Sequence, residues 1–327
     1  MLRDVTPPKV LITRMWPVNA IDAMRLRYDV TVDKTDRPLS RSDLISAMLT
    51  YDAVCPTITD RLAAEILNVA GARVRVLANY GAGVDHIDLQ AARACGIVVT
   101  NTPDVLSEAT AELAILLMMM ASRRAGEGER ELRAGKWTGW RPSHLVGRSL
   151  SGRTLGLVGF GRIAQIVARR ARTSLGMRVM YTSRSRSGRE VEEALDAVFV
   201  PSLQELAGQV DVLSLHCPGG PATQHLINRA ILGRMRSTAL LVNTARGSVV
   251  DETALAEALI RGGIGGAALD VYEQEPAVAA ALINAPNAVL LPHLGSATGE
   301  ARTAMGMRVL ANLESFFHGQ EPLDRVV

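Results

Sequence analysis

The stretch that most restricts what this 327-residue chain can fold into runs from Thr154 to Arg184. An apolar run, Leu155–Val158, ends in Gly159-Phe160-Gly161-Arg162-Ile163-Ala164. Helix-forming residues follow through Arg172, and a second strand-like run begins at Val179. This is a β-α-β unit with the G-x-G-x-x-G/A phosphate-binding fingerprint at its first turn. Gly159 permits the tight turn, Gly161 lets a pyrophosphate approach the backbone, and Ala164 is small enough for close helix–strand packing. The free N–H groups at the helix start then face the phosphates. Glycines at this spacing also occur in ordinary strand–helix turns; the flanking elements favour the dinucleotide reading.

The end of the second strand bears on which dinucleotide binds. An NAD site usually places Asp or Glu about 20 residues on, against the ribose 2′-hydroxyl. Thr182 stands there instead, followed by Ser183, Arg184, Ser185 and Arg186. Hydroxyls and guanidinium groups can bind a 2′-phosphate that a carboxylate would repel. NADPH is therefore the expected cofactor, with NADH as the second choice. For Arg186 a solvated basic loop is a serious competing reading.

Composition sets the outer bounds. The length leaves room for two domains, and 48% apolar with 21% charged residues is ordinary for a globular protein. The net charge is +3, without a Lys/Arg tract or a basic amphipathic helix, so neither nucleic acid nor a membrane surface is expected as partner. Cys55, Cys95 and Cys217 lack metal-ligand spacing and fit a reduced, cytoplasmic protein without a metal. Met1–Lys9 contains Arg3, Asp4 and two prolines and no apolar leader. The apolar run Leu113–Ala121, bracketed by Glu112 and Arg123, is too short to span a bilayer.

Before the fingerprint, strands are expected at Lys9–Thr13, Tyr28–Val32, Ala53–Cys55, Val74–Ala78 and Ile97–Thr100. Helices alternate with them, one capped by Ser40 and one running from a Thr59 cap to Asn68. Such alternation predicts a parallel sheet covered on both faces. Ser107–Arg124 reads as a long helix, apolar nearly all round and hence buried between domains or subunits. Gly135–Trp140 reads as an irregular loop carrying two of the three tryptophans. Later strands are expected at Ala197–Val200, Val210–His216, Ala239–Asn243, Ala267–Asp270 and Ala288–Leu291, before a final helix over Thr298–Phe317.

Three segments fall at carboxyl ends of these strands, where open α/β sheets bind ligands. They are Asn243-Thr244-Ala245-Arg246-Gly247, Asp270-Val271-Tyr272-Glu273-Gln274-Glu275-Pro276 and Pro292-His293-Leu294-Gly295-Ser296. An arginine can hold a substrate carboxylate and polarise a ketone. A histidine can exchange a proton near neutral pH, and a carboxylate beside it favours the proton-donating form. Each alone has a bland reading: Arg246 in a surface pair, Glu275 in a solvated turn, His293 as a satisfied core histidine. Spacing does not establish that they converge.

With Asn79-Tyr80-Gly81-Ala82-Gly83-Val84-Asp85, Thr110-Ala111-Glu112-Leu113 and His216-Cys217-Pro218 added to these motifs, nearly the whole chain resembles the D-isomer-specific 2-hydroxyacid dehydrogenases, in their glyoxylate/hydroxypyruvate reductase branch. The resemblance implies two Rossmann-like α/β domains with parallel sheets. A dinucleotide domain over 103–295 would be inserted into a flavodoxin-like substrate domain made of 1–102 and 296–327. It implies NAD(P)H-dependent reduction of small 2-oxo acids, with Arg246, Glu275 and His293 as the catalytic residues. The Ala82-Gly83 backbone and Arg246 would bind the substrate carboxylate. Cofactor contacts would come from Thr110, Gly159, Phe160, Gly161, Arg162, Ile163, Ser183, Arg184, Cys217, Pro218, Thr223, Thr244, Ala245, Arg246, Asp270, His293 and Gly295. The family is typically dimeric, and Trp140 matches a residue that reaches the neighbouring subunit's substrate pocket. Another reaction on the same scaffold, such as phosphoglycerate or lactate oxidation, and a dinucleotide-sensing corepressor-like protein remain open alternatives. Formate oxidation does not fit, because the family's formate enzymes have glutamine at the Glu275 position.

Overall fold

A computed structural model describes residues 6–327; Met1–Val5, part of the stretch read above for a leader, lie outside the described residues. The chain forms two compact units, one ending at Leu106 and resuming at Ser296–Val327, the other spanning Ser107–Gly295.

The discontinuous unit holds strands β1 (Lys9–Ile12), β2 (Asp29–Val32), β3 (Ala53–Cys55), β4 (Val76–Ala78) and β5 (Val98–Thr100). All pair in parallel in the order β2-β1-β3-β4-β5. This is the flavodoxin-like order, in which ligands gather beyond the carboxyl ends of the strands. Ser40 caps helix Arg41–Thr50 in a full capping box with Asp43. The expected helix from Thr59 is corrected: it spans only Ala64–Leu67 with Ala63 at its N-cap. Residues 57–60 instead close a turn, the Asp60 N–H donating to the Thr57 carbonyl at 3.0 Å. The Thr59 hydroxyl accepts from Arg14 Nη2 at 2.7 Å and is hydrogen-bonded to the Thr57 hydroxyl at 3.0 Å. The final helix, Gly299–Phe317, is capped by Thr298 and packs on helix Val18–Arg25. A Cβ on Gly306 would sit 2.6 Å from that of Ala20.

The continuous unit carries β6 (Thr154–Val158), β7 (Arg178–Thr182), β8 (Ala197–Phe199), β9 (Val212–Leu215), β10 (Leu240–Asn243), β11 (Gly266–Leu269) and β12 (Ala288–Leu290). Their order is β12-β11-β10-β9-β6-β7-β8, all parallel. This is the doubly wound dinucleotide fold with one further strand, and its order reverses between β6 and β9. Every residue of β6, β9, β10 and β11 is buried, as expected of a parallel sheet covered on both faces.

The expected end of the apolar helix needs correction. The helix ends at Ser122; Arg124 takes φ +55° and a second helix, Ala125–Arg133, follows. Within the single chain the burial of the apolar helix is one-sided. Ala111, Ala114, Leu117 and Met118 are buried, whereas Leu116 and Met119 are 47% and 45% exposed.

Candidate active site

β6 brings the chain to Gly159 where the sheet order reverses. Gly159 has φ +85°, and a Cβ there would lie 2.9 Å from the His216 carbonyl and the Cys217 nitrogen at the end of β9. Glycine alone meets both demands. Gly161 is different: a Cβ would meet nothing within 4 Å. It precedes helix Arg162–Leu175, and no side chain caps that helix, so its first N–H groups remain available to an anion. Thr244, beyond β10, adds a buried hydroxyl without a hydrogen-bond partner among the described residues. An open glycine position, an uncapped helix start and an orphaned hydroxyl at the carboxyl edge of one sheet fit a dinucleotide. Gly161→Val is accordingly expected to leave the melting temperature nearly unchanged while weakening NADPH binding at least ~10-fold, through the phosphates it displaces. Calorimetry and fluorescence titration check the two halves.

The neighbouring positions divide clearly. The Phe160 ring belongs to the core, stacked on Tyr181 at 3.9 Å between centroids, and its carbonyl accepts from Gln165 Nε2 at 3.0 Å. Arg162 is exposed and Ile163 half-buried at the helix start. Beyond β9, Cys217 is half-buried, and burial pushes its thiol up to about 11. Thr223 closes the same loop by donating to the Pro218 carbonyl at 2.7 Å.

After β7, Arg186 is taken by Glu192, with Nε–Oε1 at 2.9 Å and Nη2–Oε2 at 2.8 Å. The Tyr181 hydroxyl donates to the same carboxylate at 2.5 Å. The hydrogen bonds from Arg186 and then Tyr181 pull the Glu192 carboxyl down to about 2. Glu192 sits on helix Arg189–Leu195, which the sequence reading did not anticipate. Ser183 Oγ donates to the Ser185 carbonyl at 2.6 Å. Arg184 is exposed and, among the described residues, joins no ion pair.

The three chemical segments leave adjacent strands β10, β11 and β12. His293 Nδ1 and Glu275 Oε2 lie 2.8 Å apart, both side chains partly exposed. Glu275 Oε1 accepts from the Tyr272 N–H at 3.0 Å. Burial alone would raise the Glu275 carboxyl; the hydrogen bond and charge of His293, the Tyr272 N–H and the charge of Arg246 outweigh it and hold the carboxyl below its ordinary value. An anionic acceptor requires a proton on Nδ1, which leaves Nε2 to exchange a proton with a ligand. The Arg246 turn is locked by buried Asn243. Asn243 Nδ2 donates to the Arg246 carbonyl at 2.8 Å, and its Oδ1 accepts from the Ala245 N–H at 3.0 Å.

Several residues that build this arrangement were not visible as such in the sequence. A Cβ on Gly247 would lie 1.8 Å from the Tyr272 carbonyl carbon, so the arginine and glutamate segments touch backbone to backbone. Glu252 Oε1 accepts from the Glu273 N–H at 2.7 Å. Asp270 is 1% exposed. Its carboxylate accepts from the N–H groups of Leu294 at 2.6 Å and Gly295 at 2.8 Å, and its carbonyl accepts from the His293 N–H at 2.8 Å. These bonds hold His293 at φ +56°. Thr110 donates to the Gly295 carbonyl at 3.1 Å. Asp270 and Thr110 thus brace the histidine turn, in addition to the cofactor contacts implied by resemblance. Ala82 and Gly83 lie in the discontinuous unit, in the loop after β4, and Trp140 is 82% exposed. Among the described residues no His/Cys/Asp/Glu cluster is arranged to hold a metal, and no helix is long and apolar enough to cross a membrane.

Comparison with known proteins agrees with this architecture. Residues 115–295 match the family described as "D-isomer specific 2-hydroxyacid dehydrogenase, NAD binding domain". Glyoxylate reductase of Thermococcus onnurineus is 43% identical over 319 residues, 96% of this chain and 94% of that one. The corresponding enzyme of Thermococcus kodakarensis is 44% identical over 96% of this chain and 95% of that one. An NADPH-dependent glyoxylate/hydroxypyruvate reductase of Sinorhizobium meliloti, solved with NADP and malonate, superposes with a TM-score of 0.86 at 34% identity, covering 98% of this chain and 97% of that one. The chain belongs to the D-isomer specific 2-hydroxyacid dehydrogenase family and is an NAD(P)-dependent enzyme of it.

Proposed function

We propose that this chain reduces small 2-oxo acids with NADPH, converting glyoxylate to glycolate and hydroxypyruvate to D-glycerate. The observation that carries the reading is the 2.8 Å His293–Glu275 pair, built beside an arginine turn in a dinucleotide-binding unit. The names of relatives spanning nearly the whole chain support the choice of substrates. When bound, the cofactor supplies hydride from nicotinamide C4 to C2 of the oxo acid. In this reading Arg246 and the N–H groups of Ala82 and Gly83 bind the substrate carboxylate, and Arg246 polarises the ketone oxygen. His293 Nε2 donates the proton that oxygen needs as it becomes a hydroxyl, and Glu275 stabilises the imidazolium beforehand. Following NADPH absorbance with a panel of 2-oxo acids tests the whole assignment. Turnover of glyoxylate and hydroxypyruvate above other oxo acids is expected, and no turnover of either would overturn it.

The preference for NADPH is assigned to Ser183 and Arg184. Arg184→Ala should weaken NADPH binding ~10-fold or more by removing a charge-assisted hydrogen bond and spare NADH. Arg186→Ala should not discriminate between the two cofactors, because Glu192 already holds that guanidinium. Equal effects of Arg184→Ala on both cofactors would remove the assignment.

The reading includes a cytoplasmic homodimer. All three cysteines are free, which suits a reducing compartment. Leu116, Met119, Leu132, Trp137 and Trp140 are exposed apolar side chains that a second copy would cover. Trp140 would then shape the neighbour's substrate pocket. Sedimentation at micromolar concentration should give a dimer; a monomer would withdraw Trp140 from that role.

A further inference from the structure

The loop after β4 exposes its donors because two buried amides hold its acceptors. Asn79 is fully buried. Its Nδ2 donates to the carbonyls of Gly81 and Gly83, both at 2.9 Å. Asn101 Nδ2 donates to the intervening Ala82 carbonyl at 2.7 Å. Three successive carbonyls are thereby drawn to one side. The N–H groups of Ala82 and Gly83 make no hydrogen bond among the described residues, and both residues are only half-buried. Successive N–H groups left open in this way form a concavity suited to an anion.

Each amide is itself fixed. With both protons of Asn79 Nδ2 committed to carbonyls, its Oδ1 must accept, and His86 Nε2 lies 3.0 Å from it. That contact selects the Nε2–H tautomer of His86. Asn101 is held from its backbone. Its N–H donates to the Asp324 carbonyl at 3.2 Å, and its carbonyl accepts from Asn312 Nδ2 at 3.2 Å. Asn312 Nδ2 also donates to Asp324 Oδ2 at 2.9 Å, and Arg308 grips the same carboxylate through two nitrogens. A polar network from the last helix and the tail therefore underlies the loop.

We propose that Asn79 and Asn101 are positioning residues that turn the Ala82 and Gly83 N–H groups toward the carboxylate of the substrate. The inference rests on the 2-oxo acid reading above and adds to it the groups that prepare this anion site. Without the amides the three carbonyls are free to rotate outward and repel the carboxylate, so the loss is specific to a charged substrate.

Steady-state kinetics of the full-length holoenzyme, wild type against Asn79→Leu and Asn101→Ala, tests this. Both substitutions are uncharged, so neither acts by simple charge repulsion. KM for glyoxylate and the inhibition constant of oxamate should each rise ~10-fold or more, the loss of about one well-placed hydrogen bond to a charged group. The kcat should fall less than about threefold, and NADPH binding should be unchanged. With methylglyoxal, which lacks the carboxylate, the variants should match wild type. Asn101→Gln, which retains an amide, should recover part of the lost affinity. Asn101 is less buried than Asn79, so if Asn79→Leu fails to fold, Asn101→Ala decides alone. A folded Asn101→Ala enzyme with wild-type KM for glyoxylate overturns the inference and leaves the 2-oxo acid reading intact. Absence of oxo acid turnover in the wild type overturns both.

Discussion

Replacing His293 with alanine is expected to lower kcat by ~10²–10⁴-fold, the usual contribution of a positioned proton donor, while NADPH affinity changes little. The asymmetry follows from where the imidazole sits. It is held by Glu275 at 2.8 Å and by the turn that Asp270 clamps, whereas Gly159 and Gly161, the glycines proposed to face the phosphates, lie in the turn after β6. Single-turnover absorbance and fluorescence titration separate the two quantities, and equal losses in both would remove His293 from the proton-donor role. A pH signature accompanies the change. Glu275 is held below its ordinary value of 4.5, so its stabilising contribution is complete above the ordinary carboxylate range. It fades as pH falls through the depressed value. Without His293 the partly exposed Glu275 carboxylate loses a hydrogen-bonding partner, and the variant is less stable near neutrality. Wild type and His293→Ala should therefore differ in urea unfolding at about pH 7, and the difference should shrink as pH falls below the ordinary carboxylate range. A difference that grows in acid would contradict this account of the pair.

Gly247→Ala should be the most damaging of the glycine substitutions. Its Cβ would fall 1.8 Å from the Tyr272 carbonyl carbon and 2.0 Å from the oxygen, well inside any tolerable contact, and the obstruction is backbone. One of the two segments must move. Overpacking of this kind costs about 1–3 kcal/mol and occasionally more. The displaced segments carry Arg246 on one side and Tyr272, whose N–H orients Glu275, on the other. A shift of about 1 Å at such groups can cost ~10²-fold in rate. Both melting temperature and kcat should fall, in contrast to Gly161→Val, which should spare the first. Full activity in Gly247→Ala would mean that the two segments need not touch for chemistry.

Much of this architecture is legible in the residues, and the exceptions have identifiable causes. The central strands read as unbroken apolar runs because a parallel sheet is buried on both faces, and β6, β9, β10 and β11 are fully buried. Ser40 caps the helix its position suggests, and the expected final helix is found over Gly299–Phe317. Helix Ala125–Arg133 escaped detection because Gly126 is its only buried residue. It lacks an apolar stripe and is laced by pairs such as Arg124–Glu127 and Glu129–Arg133. Thr59 does not cap a helix because a turn over Thr57–Asp60, closed from both ends by Asp60, takes the same residues. At the site, residue types and strand ends were readable. The approach of Glu275 to His293 and the closeness of Gly247 to Tyr272 arise between segments far apart in sequence, so local pattern does not contain them.

The discontinuous unit has a consequence for biosynthesis. Its sheet is assigned to the first part of the chain, but helix Gly299–Phe317, against which Val18–Arg25 packs, is translated only after all of Ser107–Gly295. The inserted unit can therefore finish folding on the ribosome first, and Val18–Arg25, made before it, is buried only after it.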